Sequence, residues 1–146
     1  MAQTPRVDYE TLADLRYHIR RFLRIREEAA RAAGIEPQQY LVLLQIKGLA
    51  QRRPATIGAL TERLQIRHHA TVQLVDRLAQ RGMVRRRRAE VDRRGVVVQL
   101  TARGEVTLRK LALHSLAELR TAGPALASIL TRVIGRPRQG SRRSES

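Results

Sequence analysis

The chain has no cysteine and no tryptophan, and among its 146 residues the larger aromatic rings are limited to Tyr9, Tyr17, Phe22 and Tyr40. The missing thiols exclude disulfides, thiolate metal sites and thiol redox switching. So few rings leave little for single-stranded bases to stack on. No window approaches the roughly 18 apolar residues of a membrane span, and no apolar signal-peptide core follows Met1, so a cytoplasmic location is expected. Acids are also scarce: 13 stand against 29 basic residues, for a net charge of +16. Lys47 and Lys110 are the two lysines, so the other 27 basic residues are arginines.

Such an excess calls for a polyanionic partner. The planar guanidinium fork grips phosphates and guanine edges in pairs of hydrogen bonds, which favours nucleic acid over a membrane surface. A membrane-surface first helix is the weaker rival: it would carry Arg16, Arg20, Arg21, Arg24 and Arg26 but no tryptophan anchor.

The chemistry of catalysis is missing as well. His18, His68, His69 and His114 are scattered, with no i, i+4 pair to hold zinc, so neither metal nor cofactor is expected. Ser115 lies beside His114 and cannot face it on a helix, and there is no nucleophile elbow or phosphate-cradling glycine pattern. The sequence does not read as an enzyme.

What is present is periodic. With 42% apolar residues the chain can bury a core. From Asp8 to Ala33, Leu12, Leu15, Ile19, Phe22 with Leu23, and Ile25 or Arg26 recur at helical intervals up to the stop at Gly34. At about 1.5 Å per residue this helix is longer than one small domain needs, so part of it should pack on another chain. Pro37 opens a second helix that runs to "QRRPA", and "IGALTERL" makes a short third. A fourth follows from about His69 to Arg81. Counting 100° per residue turns Thr71, Leu74, Val75 and Leu78 inward and His69, Val72, Gln73, Asp76 and Gln80 outward.

After Gly82, "MVRRRRAEV" and "GVVVQL" read as two strands around the tip "EVDRRG", a hairpin. Thr101 caps a fifth helix, Gly123-Pro124 is expected to break it, and a last helix spans about Ala125 to Val133. The domain plan is therefore a flexible start over 1–7, a dimerisation helix over 8–35, a DNA-binding region over 36–101, dimerisation helices over 102–135 and a basic, disordered tail over 136–146. The fold class is mainly α with a small β-hairpin: three helices and a hairpin in this order make a winged helix-turn-helix, with long terminal helices for dimerisation.

The run "LVDRLAQRGMVRRRRAEVDRRGVVVQLTARG" resembles the MarR (multiple antibiotic resistance regulator) family of bacterial transcription factors. The match lies in Leu74 to Arg86, in the "DxR" wing tip at Asp92 to Arg94 and in "LT..G" at Leu100 to Gly104, and it extends over about residues 8 to 120. The resemblance implies a homodimeric repressor on a pseudo-palindromic double-stranded operator, with half-sites about one turn apart. It also implies release by a small phenolic or other aromatic acid between the dimer helices and the reading heads. The family's pocket has no portable motif, so no effector residues are assigned.

On the outward face of the fourth helix, His68, His69 and Gln73 are the expected base readers, glutamine being suited to adenine. Val72 either touches a thymine methyl or is a neutral surface residue. Arg67 and Arg77 on the flanks are assigned to phosphates, as are Arg86 and Arg88, although the run Arg85 to Arg88 also fits a solvated strand edge guarded by charge. The tip is Asp92, Arg93 and Arg94. By resemblance Arg94 enters the minor groove and Asp92 holds the tip through a salt bridge, which suits an acid so near DNA. Leu12, Leu15, Ile19, Leu116, Leu119, Leu126 and Leu130 are the expected dimerisation residues. The alternative function is a non-specific DNA-coating or RNA-binding basic protein, held by backbone charge alone.

Overall fold

The computed structural model describes residues 4–88 and 95–135. Along the chain the elements are α1 (Tyr9–Ala32), α2 (Pro37–Ala50), α3 (Ile57–Leu64), α4 (His68–Gln80), β1 (Val84–Arg88), β2 (Val96–Leu100) and α5 (Ala102–Ile134). The described residues fall into two compact units. One is Ile25–Leu116, and the other is made of the chain up to Arg24 and from Ala117 onward.

The first unit holds the apolar core. Leu43, Leu60, Val75, Leu78 and Val98 are each less than 2% exposed and bring α2, α3, α4 and β2 around one centre, joined by Leu108 and Leu111 of α5. Local chemistry sets the element ends. Thr56 caps α3, its side chain accepting from the Ala59 amide at 3.1 Å. Gly82, at φ +71°, ends α4 with two bonds, Gly82 N to Ala79 O at 3.0 Å and Met83 N to Leu78 O at 2.9 Å. This paired closure needs a left-handed residue, and it turns buried Met83 back into the core.

The strands pair antiparallel from Val84 with Leu100 to Arg88 with Val96. A third segment adds to β2: Thr56 bridges Val97, and Val98 N donates to Ala55 O at 2.9 Å. Past β2, Thr101 N donates to the Met83 carbonyl at 3.0 Å and Thr101 Oγ1 to the Gly82 carbonyl at 2.6 Å, while Gly104 N donates to Thr101 Oγ1 at 3.1 Å. The start of α5 is thereby stitched to the root of the hairpin. Gly104 comes so close that a Cβ there would lie 2.1 Å from the Met83 carbonyl oxygen.

In the second unit Thr11 and Ile129 are buried, and Asp8 caps α1 by accepting from the Thr11 amide at 3.0 Å and hydroxyl at 2.7 Å. Those bonds hold the Asp8 carboxyl below its ordinary value of 3.8, with a smaller contribution from the charge of Arg132.

One expectation fails. Gly123-Pro124 does not divide the C-terminal segment, because α5 continues from Ala102 to Ile134 with Pro124 inside it. A proline lacks one N–H, which leaves the carbonyl four residues earlier, that of Arg120, without its helical donor. Arg120, Thr121 and Pro124 are all exposed, so water can serve that carbonyl, and buried Ile129 anchors the turns that follow.

Candidate nucleic-acid interface

The candidate site is built on α4, whose apolar spacing buries Thr71, Leu74, Val75 and Leu78 and so fixes what is left outside. His68, His69, Gln73 and Gln80 are exposed, Val72 and Asp76 are half-buried, and Arg67 and Arg77 are exposed beside them. Imidazole and amide groups at these positions can meet base edges, and the arginines can meet phosphates. Arg67 stands at the N-cap without a side-chain capping bond, so the amides of the first turn of α4 keep donors for an anion.

Side-chain bonds hold this helix at both ends. The hydroxyls of Thr61 and Thr71 are 2.8 Å apart and join α3 to α4 inside the head. Between those helices, Gln65 takes the left-handed conformation at φ 54°, its side-chain amide donating to Glu62 O at 2.7 Å. At the far end, Arg81 donates to Gln39 Oε1 at 2.9 Å and to the Gly34 carbonyl at 2.8 Å, tying α4 to the turn before α2. Sequence reasoning missed this clamp, because its partners lie more than 40 residues away.

The wing carries the charge. Arg85 to Arg88 are all exposed, yet they are not equivalent. Arg86 forms an ion pair with Asp76 of α4, so its charge is matched within the head, and the acid on the outward face of α4 is screened. Arg88 has no carboxylate in ion-pair range among the described residues, and neither does Arg85. Asp92, Arg93 and Arg94 lie outside the described residues.

The expected dimerisation residues divide by exposure. Leu12, Ile19, Leu116, Leu119 and Leu130 are exposed at 40% or more, whereas Leu15 and Leu126 are half-buried. A further polar cluster was only hinted at by an arginine on an apolar helix stripe. Arg26 is buried and donates to Ser115 Oγ at 2.9 Å and to His114 Nδ1 at 2.6 Å, with Tyr40 Oη 3.2 Å from the same serine oxygen. Arginine has only donors, so that histidine nitrogen accepts. Among the described residues no group of three His, Asp or Glu could hold a metal ion, and no helix is long and apolar enough to cross a membrane.

An outward polar helix beside a basic hairpin is the arrangement of a winged helix-turn-helix, and residues 33–95 match the MarR family model. Over that segment the chain is similar to the MarR family. Likeness of fold to solved MarR-family structures extends beyond that segment. AbsC, a MarR family transcriptional regulator from Streptomyces coelicolor, is 23% identical over 91% of this chain and 94% of its own, with a TM-score of 0.69. A mutant MarR from E. coli complexed with operator DNA is 24% identical, with 82% of this chain and 89% of that one covered and a TM-score of 0.63. BpsR of Bordetella bronchiseptica, whose DNA binding is regulated by 6-hydroxynicotinic acid, is 18% identical over 82% and 92%, with a TM-score of 0.62. No curated protein matches the sequence. MarR-family members are transcription regulators, not enzymes, and this chain has their winged-helix fold.

Proposed function

We propose that this chain is a MarR-family regulator of transcription, homodimeric and sequence-specific, that represses by occupying a pseudo-palindromic double-stranded operator in the cytoplasm. The observation that carries the reading is the division of labour on the head. His69 and Gln73, both exposed, lie on α4 between Arg67 and Arg77, and the one acid on that face is matched by Arg86. Base reading and backbone grip are thus separate, which a protein that merely coats DNA does not need. The E. coli relative in complex with operator DNA supports the same use of the fold.

Dimerisation is supported by Leu12, Ile19, Leu119 and Leu130, large apolar side chains left 40% or more exposed near the chain ends. Two-fold symmetry would set two α4 helices about one turn of duplex apart, roughly 34–36 Å. Arg88 and the tip residues Arg93 and Arg94 add backbone and minor-groove contacts, with Asp92 bracing the tip. A small aromatic or phenolic effector, in keeping with the BpsR relative, would release DNA by binding one spacing of the heads more tightly than the other.

The test is binding of the purified protein to its own upstream duplex and to a scrambled one across a salt series. A preference of roughly a thousandfold or more at physiological salt is expected. Equal affinities that fall in parallel with salt would instead make it a coating protein. Arg94→Ala should weaken operator binding at least tenfold without dissociating the dimer, and unchanged affinity would remove the wing tip from the interface.

A further inference from the structure

The outward side chains of α4 can meet base edges in register only if the helix is held at one angle, and apolar packing alone does not hold it. Thr71, Leu74, Val75 and Leu78 bury its inner side, but apolar burial is non-directional and tolerates small rolls and slides. Hydrogen bonds fix direction, and α4 has them at both ends. Near its start the Thr71 hydroxyl meets that of Thr61 at 2.8 Å, which ties it to α3. At its other end the tie runs elsewhere. Arg81, the C-cap of α4, donates from one guanidinium nitrogen to Gln39 Oε1 at 2.9 Å and from the other to the Gly34 carbonyl at 2.8 Å.

Both acceptors are themselves fixed. Gly34 closes α1 at φ +78° with two backbone bonds, its own amide to Arg31 O at 3.0 Å and that of Ile35 to Ala30 O at 3.1 Å, and Ala30 and Ile35 are buried. Gln39 stands in the first turn of α2, just after Pro37, and is only 5% exposed, so its amide oxygen depends on a donor from the protein. One guanidinium thus sits where α1 ends, α2 begins and α4 ends. The C-termini of α1 and α4 both present partial negative charge, which a positive group held between them offsets. A planar fork aimed at two fixed acceptors admits one orientation of the helix that carries it, a constraint that the single rotatable nitrogen of a lysine does not reproduce.

We propose that Arg81 is a positioning residue for base reading: it sets the angle of α4 by stapling the end of that helix to the α1–α2 turn, and acts without touching DNA. The inference rests on the reading of α4 as the base-reading helix given above. Its consequence is a split between two properties that a general loss of stability would change together. Without the staple, Arg67 and Arg77 still find phosphates, which line the duplex whatever its sequence, while His69 and Gln73 lose their register with base edges. Specificity falls and backbone affinity stays.

The experiment has two arms. In the first, Ala32→Cys on α1 and Gln73→Cys on α4 carry a pair of spin labels in the full chain, which has no cysteine of its own, and labelled protein is diluted in unlabelled protein so that only distances within one chain are read. Adding Arg81→Met should at least double the width of the distance distribution. Arg81→Lys, which keeps the charge and loses the fork, should broaden it as well. Leu49→Val, which loosens the core at the other end of α2 from Gln39, should leave it unchanged. In the second arm, with the label sites restored, Arg81→Lys should lower the ratio of affinities for the protein's own upstream duplex and a scrambled one at least tenfold, with the scrambled duplex bound within twofold of wild type. An unchanged width in Arg81→Met, equal broadening by Leu49→Val, or equal losses on the two duplexes would overturn the proposal. A wild-type protein without preference for its own upstream duplex would refute the regulator reading instead, and the width alone would then decide whether Arg81 fixes α4.

Discussion

Substituting Gly104 by alanine forces a clash that nothing nearby can relieve. The new Cβ would lie 2.1 Å from the Met83 carbonyl oxygen and 3.1 Å from its carbon, whereas real Cβ atoms essentially never come within 3.0 Å, so the two segments must part by about 0.9 Å. The obstacle is backbone, and it is tied down: the same carbonyl accepts from Thr101 N at 3.0 Å, and the neighbouring Gly82 carbonyl accepts from Thr101 Oγ1 at 2.6 Å. Overpacking of this kind costs about 1–3 kcal/mol, and each hydrogen bond broken or stretched adds up to about 1 kcal/mol. The stiffer unfolded chain returns about 0.4–1 kcal/mol. Gly104→Ala should therefore destabilise by about 2–4 kcal/mol, read as a lower urea midpoint at unchanged slope and fixed protein concentration. Gly48 is the internal control: it sits in α2 with nothing within 4 Å of its missing Cβ, so Gly48→Ala should stabilise by up to about 1 kcal/mol. If the two substitutions shifted the midpoint alike, the close approach of α5 to the hairpin root would not be the reason for a glycine at 104.

On the reading face, Gln73→Ala should relax sequence preference, and Arg77→Gln should weaken operator and random duplex together with a shallower salt slope. Equal losses on both duplexes for Gln73→Ala would remove it from base reading. Asp76→Ala removes an acid from that face and frees Arg86, so affinity for random DNA should rise severalfold at low salt, and a fall would mean that the ion pair chiefly shapes the interface. Asp8 gives a pH dependence. Its carboxyl is held below 3.8 by the Thr11 bonds, so its contribution to the α1 cap is complete above that value and is lost as pH falls through the lower native one. Helicity measured through the acid range should show this step in the wild type but not in Asp8→Ala.

Much of the head was legible because its signals are local. Counting 100° per residue placed Thr71, Leu74, Val75 and Leu78 inside, and all four are buried. The hairpin followed from β-branched residues on either side of a glycine-containing tip, although Asp92, Arg93 and Arg94 fall outside the described residues. Pro124 misled because local preference was outweighed by the turns on either side of it. Long-range partners left no local trace. Arg26 and Ser115 are 89 positions apart, so their bond has no periodicity to read. The role of Arg86 was hidden likewise, since a run of four arginines does not reveal which of them meets Asp76.

The elbow at Gln65 bears on how a head of this kind selects DNA. For a residue with a Cβ the left-handed basin is narrow, and here the side chain is also fastened to the carbonyl of Glu62. With the Thr61 and Thr71 hydroxyls locked behind it, α4 has little freedom to tilt toward an ill-fitting groove. The duplex would have to yield instead. Part of the selectivity would then reside in base steps that no side chain touches, chosen for how readily they kink or narrow beneath a stiff reader.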